Sequence, residues 1–468
     1  MKIAFVHYHL KTGGVTSVLK SQIAALQDTC QLLVLTGDRS SARLPCPVVE
    51  ISGLGYDRPG IVQPPPGKVA EQILKALGTQ WPDGCDVMHI HNPILGKNRQ
   101  FPAIIQRLHQ TGINLFLQIH DFAEDGRPET YLKDDYPENC HYGVINSRDA
   151  DILLSCGLRR TGLHLIPNPV AWFHLSAHRR PDPLVLYPVR AIRRKNVGEA
   201  ILLSMFFSPD QRLAITQTPN SPPDLASYRD WVAWTQSLRL PIEFAAGQTR
   251  TFSSLVEAAE SMITTSISEG FGLAFLEPWT AGKPLWGRCL REICTDFNGR
   301  GVRLDWLYER IDIPLTWIQK DAFSRVWHAA VLSNAKHYDL SISEEAVTDA
   351  YLRMTRNASV DFGMLDEPFQ RQVLNRLVID RRAKADLLHQ NPWVSNPCRA
   401  KKVSRMVENN RQAILARYGM HRYQDRLLAI YHLVVDHPVS QRIDKQCLCE
   451  AFFNLDRFSL LQWRRYDR

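Results

Sequence analysis

A chain of 468 residues is too long for one hydrophobic core and calls for two or three domains. Its 44% hydrophobic and 22% charged residues exclude a mainly disordered chain. The net charge of +8 suits a polyanionic small molecule, RNA or an acidic membrane surface alike, so charge alone selects none of them.

The chain opens with MKIAFVHYHL and runs into a Gly-Gly segment without the long apolar stretch of a signal peptide. No run of 18 apolar residues occurs, so no membrane-spanning helix is expected. The ten cysteines are scattered, and only Cys447 and Cys449 lie close together, which is not a zinc-ligand pattern. They read as reduced thiols of a cytoplasmic protein.

Short β-branched runs alternate with helix-like segments over the first 290 or so residues. The first series of strands is expected at Lys2–Tyr8, Gln31–Gly37, Val87–Asn92, Ile113–Asp121, Tyr142–Ser147 and Leu163–Asn168. A second series is expected at Leu184–Arg190, Leu213–Thr218, Ile242–Gly247, Met262–Ile267 and Pro284–Gly287. Val15–Leu26, Phe101–His109 and Phe252–Glu260 carry apolar residues at spacings of three and four and read as helices. Near-continuous apolar strands separated by helices indicate buried parallel sheets. The pattern breaks once, at Val170–Pro183, which reads as a hinge.

Beyond Arg288 the alternation fades into helices at Asp321–Ser333, Ser343–Arg356 and Pro368–Ile379. A basic stretch follows, and then a long helical pattern over Val403–Val435 that is interrupted at Gly419. The expected division is therefore residues 1–170, residues 171–335 and a helical extension over residues 336–468. Two doubly wound α/β domains would face each other across a cleft at the carboxyl ends of their strands.

The most informative stretch is Glu269-Gly-Phe-Gly-Leu-Ala-Phe-Leu-Glu277. It follows an expected strand and opens an expected helix, so its glycine turn would present backbone N–H groups to a phosphate. Glu277, about one and a half turns into that helix, and Glu269 would border one pocket and accept sugar and ribose hydroxyls. A plain glycine turn followed by a solvated glutamate fits the same residues. Arg190, Arg193, Arg194 and Lys195 bring four cations into six residues. They form either a solvated face or, at the carboxyl end of a strand, a phosphate grip.

Thr12-Gly13-Gly14-Val15 follows the first strand and would let a ligand approach the backbone. The dinucleotide pattern G-x-G-x-x-G is absent there. His120 ends another strand and is either a cleft residue or a satisfied core histidine. His89 and His91 point the same way, and without a third ligand they read as packing and hydrogen-bonding residues rather than a metal site.

In this order, the GGV loop, HIHN, IHDF, IPNPV, the R-x4-K of Arg190 and Lys195, and EGFGLAFLE resemble the retaining GT-B-fold glycosyltransferases of family 4, the group with an E-x7-E motif. The resemblance spans roughly residues 1–290 and resumes at Asn409–Tyr431, which looks like a terminal helix returning to the first domain. It implies an α/β GT-B architecture of two Rossmann-like domains, with acceptor on the first and nucleotide sugar on the second. It also implies that Arg190 and Lys195 neutralise the donor diphosphate, and that backbone near Gly270, Phe271, Gly272 and Leu273 holds phosphate and sugar. Glu269 would contact the transferred sugar, Glu277 the ribose and His120 the reacting sugar, with Gly13 and Gly14 lining the cleft. A UDP- or GDP-linked sugar is the expected co-substrate, with no metal or other cofactor. Residues 288–402 depart from the family pattern.

The rival readings are a sugar phosphorylase and a noncatalytic sugar- or nucleotide-binding module. The basic stretch Arg381–Arg405 lacks interleaved aromatics and argues against nucleic acid. It fits peripheral contact with anionic lipid better. No protein partner is implied.

Overall fold

The computed structural model describes residues 1–38, 43–173, 182–395 and 403–464. Most of the segment read as a hinge, and residues 396–402 of the basic stretch, lie outside the described residues. The chain forms two compact units. One combines Met1–Pro169 with Ala416–Phe453, and the other combines Val170–Leu415 with Asn454–Arg468. Residues 336–468, expected to form an extension of their own, are thus divided between the two units.

The first unit is built on β1 (Lys2–His7), β2 (Gln31–Thr36), β3 (Val48–Glu50), β4 (Val87–His91), β5 (Leu115–Gln118), β6 (His141–Val144) and β7 (Leu163–Leu165). All pair in parallel, in the order β3-β2-β1-β4-β5-β6-β7. Alternation along β1 sends Ile3 and Phe5 to one face and Ala4 and Val6 to the other, so both faces must be covered. The helices Pro66–Gln80 and Phe101–Gln110 cover the second face. The first face takes the helix Gly14–Leu26 and the returning helix Met420–Asp436, which buries Tyr423, Leu427, Ile430, Tyr431 and Val434 there. The edge strand β3 was not anticipated, because Val-Val-Glu is short and only partly buried.

The helix Lys445–Phe452 packs on the second face, against Ser147–Ser155. This return joins Cys156 to Cys447 in a disulfide across 291 residues, with Cα atoms 5.5 Å apart. The expectation of reduced thiols is corrected for this pair. Its partners meet only through the tertiary fold, which spacing along the chain does not reveal.

The second unit holds β8 (Leu184–Arg190), β9 (Arg212–Gln217), β10 (Ile242–Glu243), β11 (Ala259–Thr264), β12 (Leu285–Arg288) and β13 (Leu307–Tyr308). They form a parallel sheet in the order β10-β9-β8-β11-β12-β13. The unfamiliar residues after Arg288 add an antiparallel pair, β14 (Asp312–Pro314) with β15 (Ser359–Asp361), and the helices Lys320–His337, Glu344–Met354 and Glu367–Ile379. Gly419, in extended backbone, separates the helix Val403–Tyr418 from Met420–Asp436 where the sequence predicts the break. Among the described residues no helix is long and apolar enough to cross a membrane.

Candidate functional site

In each unit the strand order reverses once, between β1 and β4 in the first and between β8 and β11 in the second. Ligands of open parallel sheets bind at the carboxyl ends of the strands flanking such a reversal. The residues singled out in the sequence follow β8 and β11 in the second unit, and β1 and β5 in the first.

After β8 the chain makes a single tight turn, Arg193–Lys195, closed by Asn196 in the left-handed region at φ 51°. Thr265, just past β11, donates its hydroxyl to the carbonyls of Lys195 and Asn196, both at 3.0 Å. The Ile267 amide donates to Arg194 O at 3.0 Å, and Arg194 Nη1 donates to Ser268 O at 2.8 Å. These bonds fasten the cationic turn to the strand that leads into Glu269.

Lys195 Nζ donates to Glu269 Oε1, and Arg194 lies 3.6 Å from the other carboxylate oxygen. Burial alone would raise the Glu269 carboxyl, but the neighbouring Lys195 and Arg194 charges hold it below its ordinary value. Arg193 turns away and forms a two-pronged pair with Glu367 at 2.8 and 2.9 Å. Arg190 ends β8 and reaches only Gln217, at 3.5 Å, with no ion pair among the described residues. So of the four cations, Arg193 is structural, Arg194 and Lys195 face Glu269, and Arg190 stands apart.

Gly272 adopts φ +86°, and a Cβ there would fall 2.7 Å from Phe275 and 2.9 Å from Ile293. Both its conformation and its packing therefore require glycine. The segment after it is a single 3-10 turn, Leu273–Phe275, followed by a four-residue helix, Glu277–Thr280. Glu277 thus stands at the first position of a short helix rather than one and a half turns into a longer one. Pro278 supplies the reason, since it has no N–H to donate four residues back. Glu277 makes no ion pair among the described residues, and burial raises its carboxyl to about 7.

The unfamiliar residues beyond Arg288 hold this edge from behind. Arg288 is buried between Glu199 at 2.6 Å and Asp361 at 2.7 Å. Tyr308 donates to Glu199 at 2.7 Å, and so does Asn196, while Gln370 donates to Asn196 at 2.9 Å. Asp361, Glu367 and Gln370 therefore help fix the turn that carries Lys195. No motif in the sequence marks them, because their role rests on long-range pairing.

In the first unit, Gly13 is extended and Gly14 opens the helix, and an added Cβ at either would meet no atom closer than 3.9 Å. The protein's own packing does not demand these glycines. Asn92 ends β4 in the left-handed region at φ 48°, and its side chain accepts the His120 amide at 2.7 Å. The His91 and His120 rings stack and share a hydrogen bond of 2.9 Å. Burial lowers the His120 pKa to about 4, so the ring is neutral.

His89 instead bonds Tyr431 of the returning helix at 2.8 Å and Gln118 at 2.9 Å, which makes it a packing residue. His7 and His9, at the end of β1, were missed. Their rings lie 5.3 Å apart, and His7 lies 5.9 Å from His91. The repeated His-Tyr-His, His-Ile-His and Gln-Ile-His ends of adjacent strands were the available signal. Among the described residues no group of three or more His, Cys, Asp or Glu is placed to hold a metal ion.

No protein-family profile matches the chain. It is 25% identical over 356 residues to mannosylglucosyl-3-phosphoglycerate synthase of Petrotoga mobilis, across 66% of this chain and 68% of that protein. Among solved structures it is similar to sucrose-phosphate synthase from Thermosynechococcus elongatus, with TM-score 0.54 and 14% identity over 92% of this chain and 98% of that one. It is also similar to TarM, with TM-score 0.54 and 10% identity over 92% and 98%. A third likeness is to Anabaena HepE in complex with UDP-glucose, with TM-score 0.52 and 13% identity over 92% and 99%.

Proposed function

We propose that this chain, whose architecture is GT-B and which is similar in sequence to a glycosyltransferase, moves a sugar from a nucleoside-diphosphate donor to a hydroxyl acceptor with retention of anomeric configuration. The observation that carries the reading is the joining of the Arg194–Lys195 turn to Glu269 at the strand reversal of the second unit.

Breaking the sugar–phosphate bond adds about one negative charge to the leaving diphosphate. Arg194 and Lys195 are fastened cations at that edge and Arg190 ends the same strand, and removing one such group typically costs about 10²–10³ in rate. Lys195 bonds the Glu269 carboxylate. Diphosphate binding would draw Lys195 toward phosphate and release the Glu269 carboxylate toward the sugar hydroxyls. Glu277 accepts the ribose hydroxyls, and the glycines at 13 and 14 leave room for the ligand. Retention by attack on the same face of the sugar, with the leaving phosphate taking the acceptor proton, needs no protein nucleophile. The three cations supply the charge that a divalent metal would otherwise bring.

Incubation with a panel of UDP- and GDP-linked sugars and cell extract, with and without a chelator, tests the proposal by released nucleotide and new product masses. Turnover that survives chelation is the expected result. Thermal protection by inorganic phosphate, with none by any nucleotide, would replace this reading with sugar phosphorolysis.

A further inference from the structure

Beyond the donor edge, the strand reversal of the first unit gathers a second set of polar groups. His7 is buried at 2% exposure, and among the described residues neither of its ring nitrogens meets a hydrogen-bonding partner; the same holds for His9 Nδ1 and His91 Nε2. The His9 ring meets Tyr56 at 4.9 Å, and the Lys97 ammonium lies 5.8 Å from the Tyr56 ring centre. Arg127 is held at 2.7 Å by Asp121, next to His120.

The chemistry of this set is mixed in a specific way. Burial keeps His7, His91 and His120 neutral, so His7 offers one donor and one acceptor, and His91, bonded to His120 through Nδ1, offers Nε2 to a hydroxyl group. Lys97 is half-buried, forms no ion pair among the described residues, and feels the Arg127 charge. Arg127 is paired with Asp121 and also feels Asp125, so the Lys97 ammonium is the cation that an incoming anion would pair.

We infer that the carboxyl edge of the β1–β4 sheet is a binding site for a small polyhydroxylated anion, with Lys97 and Arg127 gripping its phosphate or carboxylate and His7, His9 and His91 its hydroxyls. The inference rests on the transferase reading only in that this ligand would be the acceptor, or the part of it nearest the anion.

The test uses the full chain saturated with nucleoside diphosphate, so that the cations of the second unit are occupied. Glycerol 3-phosphate, glycerate and glycerol are then titrated calorimetrically into the wild type, Lys97→Gln and Lys97→Arg. Either anion should bind about tenfold or more tighter than glycerol. Lys97→Gln should lose that margin, Lys97→Arg should restore most of it, and nucleotide affinity should stay unchanged in both. Equal binding of all three compounds, or an anion margin untouched in Lys97→Gln, would overturn the inference. Failure of every nucleotide to bind would count against the donor reading instead, and the anion titration without nucleotide would still decide this one.

Discussion

Glu277 is a carboxyl held in place without a cation, and replacing it with glutamine should stabilise the protein in a pH-dependent way. Its folded-state pKa of about 7 lies above the ordinary 4.5, so between those values the folded protein binds more protons than the unfolded chain. Stability must then fall as pH rises through this window, and the loss is complete above pH 7. The full shift corresponds to about 3 kcal/mol, and the partial exposure of the side chain reduces this to about 1–2 kcal/mol.

Glu277→Gln removes the titrating group. It should match the wild type near pH 4.5 and exceed it by roughly 1–4 °C in Tm at pH 8. Thermal unfolding of both proteins at several pH values measures this directly. In the same variant, affinity for free nucleotide should drop roughly tenfold to a hundredfold, because a hydrogen bond to a charged group is lost. A Tm difference that stays constant between pH 4.5 and pH 8, or a destabilised variant, would refute the reasoning.

Glu269→Gln frees Lys195, so nucleoside diphosphate affinity should hold or rise in calorimetry while turnover falls about 10²–10³-fold. Loss of nucleotide binding would mean that Glu269 contacts the nucleotide rather than the sugar. Tyr431→Phe leaves His89 Nδ1 without its partner and should cost about 1–3 kcal/mol of stability, with kcat and KM unchanged. Cys447→Ser opens a closure spanning 291 residues, and denaturant unfolding should show a loss of about 2–5 kcal/mol. Alkylation and peptide mapping without reductant should recover Cys156 and Cys447 as one linked peptide.

The two parallel sheets were legible because buried strands such as Leu184–Arg190 carry uninterrupted apolar runs with clear ends. Short or half-exposed strands were not, and Leu307–Tyr308 has no such signature. The Lys195 and Glu269 segments could be read as parts of one site through the resemblance to family 4, since β9 and β10 separate their strands along the chain. The fate of Arg193 could not, since Glu367 lies 174 residues away and nothing local distinguishes one arginine from the next. Pro278 was visible in the sequence, and its consequence for the helix before Glu277 follows from the missing N–H alone.

The division of the chain also bears on how the protein is made. The first unit needs Met420–Asp436 to cover the β-sheet face that carries Phe5 and Phe116, yet that helix emerges only after the whole second sheet has been synthesised. At about 5–20 residues per second, Met1–Pro169 waits roughly 10–50 seconds on the ribosome with part of one apolar face open. During that interval the nascent chain is a natural client for chaperones, and a message truncated before residue 416 would yield a sticky product rather than a smaller working one.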